Sequence, residues 1–176
     1  MTSPEAVMES LSPILIVMGV SGCGKTVVGT ALAKRLGCPF LEGDVLHPSA
    51  NITKMSSGVP LNDEDREGWM IALREAMEIQ PGRTVLSCSA LKKKHRDYLS
   101  DFSRLVIFLH LAGERSLLEK RISNRKGHFF DPKLLGSQIE ALEPPGKNEN
   151  TITLQINDSI ENIVAEALVH LKDYGV

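Results

Sequence analysis

Eight consecutive residues, Gly19-Val20-Ser21-Gly22-Cys23-Gly24-Lys25-Thr26, satisfy the pattern G-x-x-x-x-G-K-[ST] at every position. The chemistry such a run supports is the binding of a polyphosphate. Glycines let the backbone curl until successive N–H groups converge on one anion. A helix opening at the end of the run adds the positive end of its dipole. Lys25 can then reach the β- and γ-phosphates, and the Thr26 hydroxyl can ligate Mg²⁺. ATP and Mg²⁺ are therefore the expected cofactors, with Gly19 to Thr26 as their site and Lys25 as a catalytic cation. Cys23 inside the loop has two readings: a thiolate favoured by the helix terminus, or a small residue that the turn tolerates.

A motif of this kind needs a strand before it and a helix after it. Ile14-Leu15-Ile16-Val17-Met18 is apolar throughout, as a strand buried on both faces must be. Lys25 to Leu36 carries apolar residues at helical spacing and is closed by Gly37. Phe40-Leu41 is a short second strand that runs into Glu42-Gly43-Asp44. Residues 84–88 and 105–109 read as further buried strands, and Thr151 to Ile156 alternates more, as a strand nearer an edge does. Helices are expected over 48–56, 63–79, 92–99, 114–125, 132–142 and 159–172. Strands alternating with helices predict an α/β three-layer sandwich around a five-stranded parallel sheet, with right-handed crossovers. One domain over 13–176 follows, with residues 1–12 as a flexible N-terminal segment. The polar, glycine-containing stretch Lys126 to Pro132 belongs to a small lid over 125–138.

Composition narrows the partners. A formal net charge of −2 supplies no global basic field to attract nucleic acid. No apolar run approaches the ~20 residues of a membrane span, so no membrane partner is expected. Cys23, Cys38 and Cys88 lie far apart, which suits free thiols in a reducing compartment. With no basic n-region among residues 1–12, the expected address is cytoplasmic.

Within the P-loop class, the guanine-reading N-K-x-D of regulatory GTPases is absent. Motor and transport ATPases usually end an apolar strand in a carboxylate that holds Mg²⁺ through water. The strands at 84–88 and 105–109 lead instead into Cys88-Ser89 and His110-Leu111. The acids stand at the end of the second strand, where Glu42 and Asp44 can meet an acceptor hydroxyl as well as the metal. That favours phosphoryl transfer to a small molecule over mechanical work.

Gly43-Asp44-Val45-Leu46-His47-Pro48 resembles the G-D-x-x-H-P of gluconokinases. So do Asn51 to Met55, Pro60 to Arg66, Trp69, Cys88 to Lys92, Arg125 to Phe130, Leu134 to Gln138 and Leu142 to Pro145. The likeness runs in order from residue 14 to the end. It implies a fold similar to nucleoside monophosphate and shikimate kinases, a homodimer, and 6-phosphorylation of D-gluconate by ATP.

The resemblance assigns roles. Asp44 is the base, or the acceptor that orients the attacking hydroxyl, as the carboxylate at this position is in shikimate kinases; its alternative is a helix N-cap. Glu42 either touches Mg²⁺ through water or is a surface acid. Gluconate is an anion with five hydroxyls, so its pocket needs a cation and several hydrogen-bonding groups. Lys54 and Arg66 are the basic residues of the segment after Asp44, and Arg66 can grip a carboxylate in two-pronged fashion. His47 donates to a substrate oxygen or packs against Pro48. Lys92 either contacts substrate or charges a first helical turn. Arg121 and Arg125, four apart on one helix face, would neutralise the transferring phosphoryl group, with Lys126 and the substrate-binding candidate His128 just beyond. Trp69 shares a face with Leu73 and is expected in the core beside the acceptor site.

Overall fold

The computed structural model describes residues 12–124 and 133–176. Five parallel strands form one sheet: β1 (Ile14–Met18), β2 (Phe40–Glu42), β3 (Thr84–Ser87), β4 (Val106–Ala112) and β5 (Thr151–Gln155). Their spatial order is β2-β3-β1-β4-β5, so the strand that feeds the phosphate loop lies at the centre. Helices α1 (Lys25–Leu36), α2 (Ser49–Ser56), α3 (Asp63–Glu78), α4 (Lys93–Ser100), α5 (Arg115–Ser123), α6 (Leu134–Ala141) and α7 (Ile160–Leu171) connect and cover them. Every β1 residue is fully buried, which is why its sequence has no polar alternation.

Two apolar layers make the sandwich. On one face Leu15, Val17, Ile107 and Leu109 pack with Val28 and Leu32 of α1 and Ile163, Val164 and Ala167 of α7. On the other, Ile14, Ile16, Met18, Leu86 and Phe108 pack with Trp69, Leu73 and Met77 of α3 and Leu99 of α4. The expected fold class is the observed one.

Local signals account for the element ends. Gly37 stops α1 in the left-handed region at φ 63°, and its N–H returns to Lys34 O at 3.3 Å. Asn62 and Asp65 form a reciprocal capping box at the start of α3. β4 differs from the expectation by running on to Ala112, because His110, Leu111 and Ala112 pair with Thr153, Leu154 and Gln155. A polar histidine resembles a strand end in sequence, yet the neighbouring strand carries the ladder past it. Helix α6 begins at Leu134; the expected lid over Lys126 to Pro132 and the segment 1–11 lie outside the described residues.

Candidate active site

In an open parallel sheet, ligands bind beyond the carboxyl ends of the strands where the strand order reverses. Here the chain leaves central β1, goes outward to β2, and returns through β3 before crossing to β4. A cleft lies at that end. It is lined by Ser21, Gly24, Lys25 and Thr26 of the phosphate loop together with Asp44, His47, Asp63, Arg66, Trp69, Ser89, Lys92 and Gln138.

The loop has the geometry its glycines demand. Gly22 and Gly24 sit at φ 82° and 99°, values that side-chain-bearing residues rarely adopt. The Gly22, Gly24 and Thr26 N–H groups take no backbone acceptor among the described residues, as expected of a helix start built to receive an anion. Lys25 Nζ donates to Gly19 O at 3.1 Å and Val20 O at 3.2 Å, folded over its own loop. Cys23 is buried at 1% exposure, and burial pushes its thiol above the ordinary value despite Lys25 nearby. Burial of this kind favours the tolerated-small-residue reading over the thiolate one. Arg121 reaches the loop from α5: its guanidinium donates to Ile156 O at 2.8 Å and Cys23 O at 3.4 Å. Arg125, Lys126 and His128 lie outside the described residues.

The two acids after β2 are held differently. Glu42 accepts from the Thr26 hydroxyl at 2.5 Å with one oxygen and from the Ser87 hydroxyl with the other. It is a fixed partner of the loop, not a loose surface acid. Gly43 behind it has no room for a side chain, since a Cβ would run into the Ser87 carbonyl. Its N–H donates to Ser87 Oγ at 3.1 Å and its carbonyl accepts from Trp69 Nε1 at 2.8 Å, pinning the turn to β3 and α3. Asp44 rides on this pinned turn into the cleft, and its carboxylate makes no hydrogen bond among the described residues. The N-cap of α2 is Pro48, so the capping alternative for Asp44 does not apply.

Thr26 and Glu42 also decide whether Mg²⁺ fits. No cluster of three or more metal-ligating side chains occurs among the described residues. A cation here would therefore take few protein oxygens and complete its shell with phosphate and water, which is the habit of Mg²⁺. The Thr26 hydroxyl at the helix start, with Glu42 beside it, suits that role.

On the acceptor side most charges are already matched. Lys54 Nζ lies 2.7 Å from Asp65 and does not line the cleft, so the structure does not bring it to the substrate position. Lys92 does line the cleft, 2.8 Å from Asp63, whose other oxygen takes Lys94 at 2.5 Å. These lysines hold the Asp63 carboxyl well below its usual range. Arg66 donates to the carbonyls of Leu61 at 2.5 Å and Asn62 at 3.2 Å and has no carboxylate within ion-pair distance among the described residues. His47 stacks on Trp69, ring centroids 4.0 Å apart and 16° from parallel. Burial lowers its imidazole to about 4, so it is neutral at physiological pH. Trp69 is in the core and also lines the cleft, as its helical position suggests.

Three contributors take roles that the sequence did not assign. Ser87, which fixes Glu42 and Gly43, is an ordinary strand residue just before the Cys88 to Lys92 motif. Gln138 carries its Oε1 2.6 Å from the Ser21 nitrogen, a contact between residues 117 apart. Arg96, at 1% exposure, pairs with Glu149 at 2.5 Å and donates to Ala90 O and Leu91 O, each at 3.1 Å. That brace holds Ala90 at a left-handed φ of 43° and so sets the turn that carries Ser89 and Lys92.

The comparisons with known proteins agree with this geometry. The family model for shikimate kinase matches residues 21–168. The chain is 41% identical to the thermoresistant gluconokinase of Escherichia coli (strain K12), over 90% of this chain and 93% of that one. It is 42% identical to a gluconokinase of Gluconobacter oxydans (strain 621H), over 98% of each. The crystal structure of a gluconokinase from Sinorhizobium meliloti 1021 superimposes with a TM-score of 0.85 at 42% identity, covering 93% of this chain and 94% of that one.

Proposed function

The chain belongs to the gluconokinase family, and on that premise we propose that it transfers the terminal phosphoryl group of ATP to D-gluconate, giving 6-phospho-D-gluconate. The observation that carries this reading is one cleft in which a phosphate-binding loop, an unpartnered carboxylate and a guanidinium without a carboxylate partner are neighbours. Phosphoryl transfer needs alignment and charge neutralisation more than covalent help from the protein. The loop N–H groups and Lys25 hold the phosphates. Arg121, already against the loop, supplies further positive charge, Arg125 is proposed to join it, and His128 is proposed to bind the substrate. Asp44 accepts a hydrogen bond from the attacking hydroxyl, orienting a lone pair toward phosphorus and taking the proton as the bond forms.

The acceptor is an anion, and Arg66, which lines the cleft without a carboxylate partner among the described residues, is proposed to receive its carboxylate. Lys92, His47 and the Trp69 face shape the wall against which the polyol chain lies. Lys54 is proposed to act through Asp65, by holding the start of α3 that presents Arg66. Mg²⁺, when bound by Thr26 and the phosphates, neutralises charge and fixes the phosphate geometry. A homodimer in the cytoplasm is the assembly and address that the family likeness suggests. No described helix is long and apolar enough to cross a membrane. Sedimentation of the purified chain tests the dimer, and a monomer mass removes it.

The deciding experiment is a coupled ADP-release assay with ATP and Mg²⁺, comparing D-gluconate, shikimate, nucleoside monophosphates and no acceptor. Turnover confined to D-gluconate is expected. ADP release with shikimate or a monophosphate in its place would overturn the substrate assignment.

A further inference from the structure

The acceptor wall of the cleft carries an acid that binding an anion does not call for. Asp63, the first residue of α3, lines the cleft together with Arg66 and Lys92. Its carboxylate is a hub for cations. One oxygen takes Lys92 Nζ at 2.8 Å and the other takes Lys94 Nζ at 2.5 Å, while Arg66 feels the same charge without pairing with it. His95 approaches to 3.9 Å but is neutral, since burial lowers its imidazole to about 4. Lys54 and Asp65 match each other and do not line the cleft.

Counting charges shows what this acid does to the site. Among the described residues, the charged groups lining the cleft are Lys25 on the phosphate side and Asp44, Asp63, Arg66 and Lys92 on the acceptor side. Lys25 serves the phosphates and Asp44 the attacking hydroxyl. Asp63 already holds Lys92, which leaves Arg66 as the acceptor-side cation with no carboxylate partner among the described residues. One guanidinium suits one carboxylate. A second carboxylate on the same molecule would find Lys92 taken and would meet Asp44 or Asp63 instead. Placing like charges together is costly, and sites use that cost to reject a wrong ligand.

We propose that Asp63 sets the charge selectivity of the acceptor site: by occupying Lys92 it leaves a place for one carboxylate, so a sugar acid with a single negative charge is admitted and a doubly charged one is rejected. The inference rests on reading the acceptor as D-gluconate and adds the residue that limits its charge. The competing role for Asp63 is architectural. An acid in the first turn of α3 suits the helix dipole, and its bond to Lys94 ties α3 to α4. That role gives no reason for the ligand's charge to matter.

The test compares D-gluconate with D-glucarate, which carries a second carboxylate in place of the terminal CH₂OH group. Calorimetric titration of the full chain, with Mg²⁺ and AMP-PNP filling the phosphate loop, gives both affinities for wild type and three variants. Wild type should bind D-gluconate more tightly. Asp63→Asn keeps the side-chain shape, removes its charge and frees Lys92. D-glucarate should then bind about tenfold tighter, the low end for a hydrogen bond to a charged group, and D-gluconate should change by less than about threefold, as a partly solvated charge would give. Lys92→Gln should act in the opposite direction and widen the preference for D-gluconate; it carries the test if Asp63→Asn does not fold. Glu64→Gln removes an exposed charge from the same helical turn without touching the cleft, and should keep the wild-type ratio.

An affinity ratio that Asp63→Asn leaves unchanged overturns the inference and makes Asp63 a tie between helices. An equal shift in Glu64→Gln also overturns it, because overall charge would then be the cause. So does wild-type binding of D-glucarate as tight as that of D-gluconate. A wild-type chain that neither binds nor phosphorylates D-gluconate sinks the substrate reading and this inference with it, whereas D-gluconate turnover with an unchanged ratio sinks the inference alone.

Discussion

Along the phosphate side of the cleft, Gly22, Gly24 and Thr26 present main-chain N–H groups; along the acceptor side, Asp44, His47, Asp63, Arg66 and Lys92 present side chains. The first surface is set by a turn of eight residues and the helix that follows it. The second is assembled from three segments, and some of its charges are matched before any substrate arrives, Lys92 with Asp63 in the cleft and Lys54 with Asp65 behind it. The same contrast divides the two acids after β2. Glu42 is clamped by Thr26 and Ser87 and serves the phosphate side, whereas Asp44, two residues on, faces the cleft with its oxygens uncommitted. A backbone site offers many weak donors at fixed positions. A side-chain site offers few groups, and what each can do depends on the partner it already has.

Substitutions can break this contrast or sharpen it. The largest loss of turnover is expected from Asp44→Asn, which should lower kcat by about 10²–10⁴-fold with ATP affinity retained, because the nucleotide side does not use it. Single-turnover kinetics with a separate nucleotide titration measures both, and near-normal turnover would return Asp44 to a structural role.

The Arg96–Glu149 pair asks how far the acceptor side depends on buried side chains. Removing one partner strands a buried charge, so Glu149→Ala should cost about 3–5 kcal/mol of stability. The Arg96 guanidinium also holds the Glu149 carboxyl below its usual range. That stability is present above the ordinary glutamate range and is lost as pH falls through the lower folded value. Denaturant titration at neutral pH reads the first effect, and a loss below about 1 kcal/mol would fit a surface pair instead.

Next in size, Arg66→Ala should raise the KM for D-gluconate about 10–100-fold, the worth of a charge-assisted hydrogen-bonded contact, with a smaller change in kcat. Lys54→Ala should do less, since that ammonium is spoken for by Asp65. Equal effects from the two substitutions would erase the distinction between matched and unmatched cations.

The smallest effect concerns pH. Burial lowers the imidazoles of His47 and His95 from 6.5 to about 4. The unfolded chain takes up these protons near pH 6.5, while the folded chain resists until about pH 4. Between those values the unfolded state binds more protons, so stability falls as pH falls. His47→Phe keeps a ring against Trp69 and removes one such group. Its thermal midpoint should drop less than that of wild type between pH 6.5 and 4; identical slopes would mean that His47 titrates as a solvated histidine.

Much of the architecture was legible in the residues themselves. Buried parallel strands are continuous apolar runs, as Ile14 to Met18 and Val106 to Leu109 are, and caps such as Gly37 and Asn62 mark the ends of helices by their own chemistry. Asp44 was legible because it follows a strand at a known distance from the loop. Ser87, Gln138 and Arg96 were not, because a serine in a strand, a glutamine in a helix and an arginine in a basic run look the same wherever they point. Lys54 and Arg66 were indistinguishable for the same reason: both are cations in one segment, and only Lys54 meets a carboxylate.

What the sequence by itself determined is the phosphate site and the class of chemistry. An anion nest depends on glycine spacing and a helix start, both local properties that hold wherever the segment folds. The tertiary structure alone decided which charges near the acceptor are already matched, which acid is clamped and which faces the cleft, and that Gln138 meets Ser21. Those outcomes depend on distances between residues remote in the chain, and distance of that kind is set by packing, not by spacing.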